Sequence, residues 1–145
     1  MLKLEGFVPG LSAVVQKKVE EADTAIHCGK GVLGKLLATP ALVDLVVRAS
    51  MDIVESLMPV GYITVGKSMS LTHEAPSGLG MIIKVQSTLD KIEGNRLVFK
   101  ILVCDDIGEI GHGIHERIVM NEEDLWKKAE ERMKGKVPEL RNYRI

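Results

Sequence analysis

The sequence contains few aromatic residues and few cysteines. One Trp, two Tyr and two Phe make up 3% of the 145 residues, whereas hydrophobic residues make up 46%. A core must therefore be built mainly from Val, Ile, Leu, Met and Ala. The two cysteines, Cys28 and Cys104, lie far apart, and no secretion signal accompanies them. This argues against a disulfide framework and a cysteine-based zinc site, so we expect two small side chains that are buried or half-buried.

The sequence also lacks a block of positive charge and a long uncharged run. Its formal net charge is −1, and nucleic-acid binding needs a concentrated basic face, usually with stacking aromatics. No stretch approaches the roughly 20 apolar residues that span a bilayer. Met1 to Gly10 lacks the basic-then-apolar pattern of a signal peptide. We therefore predict a cytoplasmic protein that binds neither nucleic acid nor membrane.

The remaining composition is typical of one folded domain. Charged residues make up 27% of the chain, a globular balance, and its length is enough for one core. No second composition marks another domain, so we predict one domain over residues 1–134 and a loosely held tail over 135–145. Asn and Gln are scarce while Lys and Glu are plentiful, which resembles the composition of thermophile proteins.

The clearest predicted helix begins at Thr39 and Pro40. Threonine is a favoured N-cap, and proline is favoured at the first helical position because its missing N–H has no partner there. Apolar residues recur at Leu42, Val46, Ile53 and Leu57, and polar residues gather on the other side at Asp44, Arg48, Asp52 and Glu55. Because the apolar arc is wide, we predict a helix that is mostly enclosed by protein and ends before Pro59.

Segments with strand-like alternation lie on both sides of this helix. They cover residues 12–19, 63–74, 81–92, 96–104 and 109–120. A hairpin turn at Glu93-Gly94-Asn95 joins the third segment to the fourth. Asn121 is predicted to cap a final helix that runs to about Met133. Residues 20–37 contain three glycines and are predicted to be a loop of the kind that borders ligand sites.

Alternation along the strand after the helix predicts which side chains meet the core. It places His73 on the face toward the helix and Glu74 on the opposite face. The other members of the His73 face are Ile63, Val65, Met69 and Leu71. A histidine at a strand end suits general-base activation of water near neutral pH, although a hydrogen-bonded core histidine is the structural alternative.

The last strand carries a second group of polar residues. His115 and Arg117 share a face, with His112 on the other one. Gly111 and Gly113 allow a bulge or a close backbone approach, so alternation leaves the direction of Arg117 open. Its alternatives are a structural ion pair and contact with a substrate or a phosphate of that substrate. The histidines form no metal motif, and we predict no metal.

The order of these elements is one strand, one enclosed helix and four long strands in succession. A long antiparallel sheet can cover one side of a helix by curling around it. The open side and the sheet edges then need cover, which predicts a dimer. We therefore predict an α+β hotdog fold, a long antiparallel β-sheet wrapped around a central α-helix, with a short C-terminal helix.

Several blocks resemble the fluoroacetyl-CoA thioesterase family in their order and separation. They are Ala38-Thr39-Pro40-Ala41-Leu42-Val43, Val65-Gly66, Leu71-Thr72-His73-Glu74-Ala75-Pro76 and Gly113-Ile114-His115-Glu116-Arg117. The resemblance covers roughly residues 8–125. It implies a hotdog fold, a homodimer, and a site that binds acyl-CoA near the subunit interface. Pairing of dimers into a tetramer stays open, and the resemblance implies no cofactor beyond the coenzyme A of the substrate.

The resemblance also implies roles for individual residues. The reactive threonine of the family falls on Thr39 and its histidine on His73. The family's catalytic carboxylate falls on Val47, which can neither take a proton nor orient a base. Without the resemblance, Thr39 is fully explained as an N-cap. Asp44 is a candidate to replace the carboxylate, although its simplest role is an i,i+4 ion pair with Arg48.

Three further family positions line the substrate site. The glycine whose backbone lines the acyl pocket falls on Gly66, and the substrate-orienting arginine falls on Arg117. The bulky aromatic that closes the fluoroacetyl enzyme's pocket falls on Leu33. Because Leu33 and Val47 both depart from the family pattern, specificity for fluoroacetate is not expected.

Two functions follow from these residues. The leading hypothesis is a homodimeric thioesterase that hydrolyses a small or short-chain acyl-CoA, with water activated by His73 and the carbonyl held by Thr39 and the Gly66 backbone. The alternative is a non-catalytic protein that binds acyl-CoA or an acyl group, which the apolar Val47 favours. A hotdog dehydratase or hydratase is a third possibility, but no His–acid pair can be placed on one face.

Overall fold

The computed structural model describes residues 2–135, which form five strands and two α-helices. The strands are β1 (Ser12–Lys18), β2 (Tyr62–His73), β3 (Ile82–Glu93), β4 (Arg96–Cys104) and β5 (Glu109–Asn121). The helices are α1 (Thr39–Val54) and α2 (Glu122–Met133), and short 3-10 turns lie at Glu21–Asp23 and Glu55–Leu57. These bounds agree with the predicted elements to within a residue or two. The predicted tail lies almost wholly outside the described residues.

The five strands form one antiparallel sheet in the order β1-β3-β4-β5-β2. The β3–β4 hairpin turns at Gly94, whose φ of +64° is a conformation that glycine adopts without strain. Strands β1 and β2 are the edges of the sheet in the described part of the chain. The helix α1 packs against β1, β2 and β3 on one face of the sheet. The predicted hotdog arrangement is therefore confirmed.

The core lies between α1 and the concave face of the sheet. Leu42, Val46 and Ile53 are buried as predicted, whereas the polar side of α1 is exposed. The opposing sheet residues include Leu97 and Phe99, which are fully buried. These side chains pack α1 onto the sheet in a core that is built mainly from aliphatic residues.

The start of α1 differs from the prediction. The N-cap is Ala38, and Thr39 and Pro40 are the first two helical residues. No side chain caps the helix, so the N-cap explanation of Thr39 is wrong and its hydroxyl is free for another contact. At α2 the predicted cap is confirmed, because the Asn121 side chain accepts a hydrogen bond from the Asp124 backbone N–H at 3.1 Å.

A β-bulge at Lys67 overturns the predicted face of β2. Gly66 pairs with Arg117 and Ser68 pairs with Glu116, which leaves Lys67 without a partner on β5. One extra residue reverses the alternation. Met69 and Leu71 therefore face the core as predicted, whereas Ile63 and Val65, on the other side of the bulge, lie on the outer face.

Two glycines on β5 allow β2 to approach closely. A Cβ atom at Gly113 would lie 2.1 Å from the backbone oxygen of Ser70, and one at Gly111 would lie 2.6 Å from that of Thr72. No real Cβ atom tolerates such contacts, so the predicted close backbone approach is confirmed. This end of the β2–β5 pair carries His73 opposite Gly111.

Among residues 2–135, no helix is both long enough and apolar enough to cross a bilayer. The two cysteines are unpaired and half-buried, as expected. Cys28 belongs to the loop before α1, and Cys104 ends β4.

Candidate active site

A cavity of about 530 Å³ lies where the loop before α1 meets the end of β2. Its walls come from residues 28–33, residues 36–40 and residues 73–76. The cavity lies at the N-terminus of α1, where unpaired backbone N–H groups and the helix dipole favour negative charge. Leu37 and Ala38, which are buried, form part of its wall. The predicted loop therefore does border a cavity.

Thr39 and His73 meet in this cavity. Thr39 Oγ1 lies 2.9 Å from His73 Nδ1, a hydrogen bond between residues 34 positions apart. Which atom donates depends on the tautomer of the imidazole. The other ring nitrogen, Nε2, is buried and has no hydrogen-bond partner among the described residues. The two residues proposed from the sequence as reactive are therefore neighbours, with one imidazole nitrogen joined to the hydroxyl.

Of the other site residues predicted near Thr39 and His73, one lines the cavity and two do not. Leu33 lines it and is 66% exposed. Val47 is half-buried on α1 and does not line it. Asp44 does not line it either, and its carboxylate lies 2.8 Å from Arg48 Nε on the exposed side of α1. The simple ion pair is therefore the role that the structure supports for Asp44.

Glu74 also lines the cavity, beside His73. Alternation assigns its side chain to the face opposite His73, and β2 ends at His73. Beyond that point the backbone N–H groups of Glu74 and Ala75 both donate to Ile110 O, at 2.8 and 3.3 Å. Two successive amides that share one acceptor depart from a strand ladder. Pro76 was the sequence signal for this ending, because proline disfavours continuation of a strand.

Arg117 and His115 form a second group, on the core face of β5. Arg117 is only 5% exposed. Its Nε donates to Thr64 Oγ1 at 2.9 Å and its Nη2 donates to Thr64 O at 3.0 Å. Its Nη1 lies 3.1 Å from His115 Nε2. No carboxylate within residues 2–135 forms an ion pair with Arg117, so the structural ion pair is not observed.

The contacts of His115 determine its tautomer. A guanidinium has only donors, so His115 Nε2 must accept the hydrogen bond from Arg117. His115 Nδ1 therefore carries the proton and donates to Ser68 O at 2.9 Å. Burial lowers the pKa of His115, and the positive charge of Arg117 lowers it further. Burial also lowers the pKa of Arg117, which remains a cation.

Gly66 belongs to this second group. It pairs with Arg117, and a Cβ atom placed on it would lie 3.6 Å from Arg117 Nη1. Six paired positions separate Gly66 from His73 along β2, which corresponds to about 20 Å. Within one chain, the predicted site residues therefore form two separate groups, one around Thr39 and His73 and the other around Gly66 and Arg117.

No group of three or more His, Cys, Asp or Glu side chains that could hold a metal occurs in the described range of 2–135. Lys30, Cys28, His73 and Glu74 are the ionisable side chains that line the cavity.

The sequence of this chain is similar to that of a known thioesterase family. The model of the fluoroacetyl-CoA-specific thioesterase family matches residues 19–123. The fluoroacetyl-CoA thioesterase of Streptantibioticus cattleyicolor is 29% identical over 98 residues, which cover 68% of this chain and 70% of that protein.

Solved structures show the same architecture. A hot-dog-like protein from Thermanaerovibrio acidaminovorans superimposes with a TM-score of 0.81 at 29% identity, over 87% of this chain and 93% of that one. The fluoroacetyl-CoA thioesterase FlK superimposes with a TM-score of 0.82 at 25% identity, over 88% and 98% of the respective chains. The family match spans most of the chain and includes both groups of site residues. This chain belongs to the fluoroacetyl-CoA-specific thioesterase family.

Proposed function

We propose that this protein is an acyl-CoA thioesterase for a small or short-chain acyl group. Family membership supports thioester hydrolysis of an acyl-CoA, and the two-carbon fluoroacetyl group for which the family is named supports a short acyl group. The observation that carries the proposal is the contact of Thr39 Oγ1 with His73 Nδ1 at 2.9 Å on the cavity wall. A hydroxyl and an imidazole in contact at a helix N-terminus are suited to attack on a carbonyl.

The proposed reaction uses water as the nucleophile. When the thioester binds, the Thr39 hydroxyl turns to its carbonyl oxygen and leaves the lone pair of His73 Nδ1 free for water. As the water oxygen bonds to the carbonyl carbon, Nδ1 takes its proton. The intermediate then loses the carbon–sulfur bond, and the proton on His73 passes to the thiolate of coenzyme A. The dipole of α1 and the Thr39 hydroxyl stabilise the negative oxygen before it collapses.

A homodimer completes the proposed site. β2 is an edge strand, with unpaired backbone groups that favour addition of another strand. Antiparallel pairing of two β2 strands, with Ser70 at the two-fold axis and the bulge residue Lys67 left out of the pairing, brings the partner's Gly66 opposite His73 on the same face of the joined sheet. The Gly66 backbone and Arg117 of one chain then lie beside the Thr39–His73 pair of the other. This register supports a composite site in which Arg117 orients the substrate.

A cysteine at the proposed axis tests this register. Ser70 is exposed and points to the outer face, so Ser70→Cys places two thiols opposite each other under mild oxidation. We expect a covalent dimer on a non-reducing gel for this variant. Ser56→Cys, at another exposed serine away from β2, is the matched control and is expected to stay uncrosslinked. A Ser70→Cys protein that stays monomeric on the gel would contradict the register.

Hydrolysis of a panel of acyl-CoAs, followed by detection of free thiol against an enzyme-free blank, tests the activity itself. We expect turnover of acetyl- to butyryl-CoA and weaker turnover of long chains, because the matching family is named for a two-carbon acyl group. The Thr39→Ala and His73→Ala variants are expected to lose most of that turnover. Unchanged hydrolysis in both variants would refute the mechanism.

A second candidate is a protein that binds acyl-CoA without hydrolysing it. The apolar Val47 on α1, at the position to which the resemblance assigns the family's carboxylate, favours it. Tight binding of CoA esters by calorimetry, with no turnover of any chain length, would decide for this alternative. Gain of hydrolysis in Val47→Glu would then show that the scaffold is one carboxylate short of an enzyme.

A further inference from the structure

Arg117 is a buried cation that is held by neutral neighbours. Its hydrogen-bond partners among the described residues are Thr64 Oγ1, Thr64 O and His115 Nε2. The contacts with Thr64 use Nε and Nη2, which lie on one edge of the guanidinium plane. The contact with His115 uses the remaining terminal nitrogen, Nη1. His115 therefore fixes the end of the guanidinium that Thr64 does not reach.

The imidazole of His115 is itself held at both ring nitrogens. Nδ1 donates to Ser68 O at 2.9 Å, and Nε2 accepts from Arg117 Nη1 at 3.1 Å. Ser68 directly follows the bulge at Lys67, and Gly66 directly precedes it. A Cβ atom on Gly66 would lie 3.6 Å from Arg117 Nη1 and 3.8 Å from His115 Cε1. The imidazole and the guanidinium thus lie side by side against the Gly66 backbone.

We propose that His115 is a positioning residue of the thioesterase, and that its neutral imidazole holds the Arg117 guanidinium beside Gly66 in the orientation that meets the acyl-CoA. This inference rests on the proposed function, in which Arg117 orients the substrate. His115 is only 3% exposed, so it acts through Arg117 and not by contact with substrate. A misplacement of about 1 Å in an orienting group can cost about 100-fold in rate.

This role requires the neutral form of His115. A protonated Nε2 would be a donor facing the donor Nη1 of Arg117, and two cations would be in contact. Burial lowers the pKa of His115, and the charge of Arg117 lowers it further. Both effects preserve the accepting form of the imidazole as the pH falls below the ordinary range of histidine.

Few other charges act on this imidazole. The charged groups that influence His115 are Arg117 and Glu116, both on β5. The carboxylate of Glu116 is already paired with Arg96. The buried residues of α1 include no charged side chain. The residues that pair with His115 from β2 and β4 are uncharged, namely Met69 and Phe99.

The first test compares His115→Asn and His115→Gln with wild type in hydrolysis of acyl-CoA by the full-length protein. The Gln amide oxygen reaches the position of Nε2 and keeps an acceptor for Arg117, whereas Asn is too short for that contact. We expect His115→Asn to lower kcat/KM about 10- to 100-fold. His115→Gln is expected to recover most of that loss. His112→Asn, at an exposed histidine of the same strand, is the matched control and should match wild type.

The pH profile and a double-mutant cycle separate positioning from a general effect on the fold. Wild type should lose activity in acid through protonation of both His73 and His115, so its acidic limb of log kcat/KM should approach a slope of about 2, against about 1 for His115→Gln. In an Arg117→Met background, His115→Asn should lower kcat/KM less than about twofold further, because the contact through which His115 acts is already gone.

The possible failures are distinguishable. If wild type hydrolyses acyl-CoA and His115→Asn matches it, or if His115→Asn loses as much in the Arg117→Met background as alone, the positioning role is overturned and the thioesterase stands. If wild type hydrolyses no acyl-CoA, the proposed function falls and the positioning role falls with it. If His115→Asn does not fold, as judged by thermal melting, His115→Gln decides. A folded His115→Gln protein with the wild-type slope in acid would overturn the role of His115.

Discussion

Replacement of Thr39 by valine separates a structural role from a chemical one. Valine keeps the shape and the β-branch of threonine and removes only the hydroxyl, so the helical start is preserved. The structure predicts a small effect on stability, because Thr39 is exposed and makes no capping hydrogen bond. We expect the free energy of unfolding to change by less than about 0.5 kcal/mol. An N-cap threonine would instead contribute about 1 kcal/mol.

The expected effect of Thr39→Val on activity is much larger. The hydroxyl lies 2.9 Å from His73 Nδ1 and is proposed to donate to the developing oxyanion. Loss of one such donor typically costs about 3 to 4 kcal/mol of transition-state stabilisation, which corresponds to a fall of about 100- to 1000-fold in kcat. Thr39→Ser keeps the hydroxyl and is expected to stay within about tenfold of wild type.

The assay pairs steady-state hydrolysis of acetyl-CoA with urea unfolding for the three proteins. The reasoning requires Thr39→Val to be stable and nearly inactive, with Thr39→Ser stable and active. If Thr39→Val instead lost 1 kcal/mol or more of stability and kept wild-type hydrolysis, Thr39 would be a structural residue and the proposed mechanism would be refuted.

Three further predictions concern the surroundings of the site. Burial lowers the pKa of His115 below its unfolded value of about 6.5. The stabilising contribution of the neutral His115 is therefore present above about pH 6.5 and is lost as the pH falls through the folded pKa. Urea unfolding from pH 8 to 5 should show a smaller loss of unfolding free energy for His115→Gln than for wild type. Gly113→Ala should lower stability by about 3 kcal/mol or more in thermal melting, because the new Cβ would lie 2.1 Å from the backbone oxygen of Ser70. Gly108→Ala, which has open space around it, is the control and should be nearly neutral. Asp44→Asn should cost about 0.3 to 0.5 kcal/mol and leave hydrolysis unchanged; a large loss of hydrolysis would place Asp44 in the reaction after all.

Most of the fold could be predicted from local patterns. Thr39-Pro40 marks the start of a helix, Glu93-Gly94-Asn95 marks a hairpin, and Asn121 caps the last helix. Each of these signals depends on the backbone conformation of a few neighbouring residues, so the sequence specifies it directly. The order of one enclosed helix and long alternating strands then leaves few ways to bury the apolar faces.

The site was less predictable, because a β-bulge changes the direction of side chains and the alternation of apolar and polar residues does not reveal where a bulge lies. The bulge at Lys67 reversed the faces of Ile63 and Val65. The structure also places Glu74, the residue after the end of β2, among the residues that line the cavity. A bulge is a single-residue irregularity, and it moves the side chains on one side of it to the opposite face of the sheet.

By itself the sequence determined the elements, their order and the residue types available for chemistry, since these follow from short-range propensity and periodicity. Only the tertiary structure decided which of those residues meet. It brings Thr39 to His73 across 34 positions of chain, surrounds Arg117 with neutral acceptors, and separates that arginine from the cavity by about 20 Å within one chain. Contacts of this kind depend on how a sheet twists, bulges and packs around its helix, and those properties belong to the whole fold.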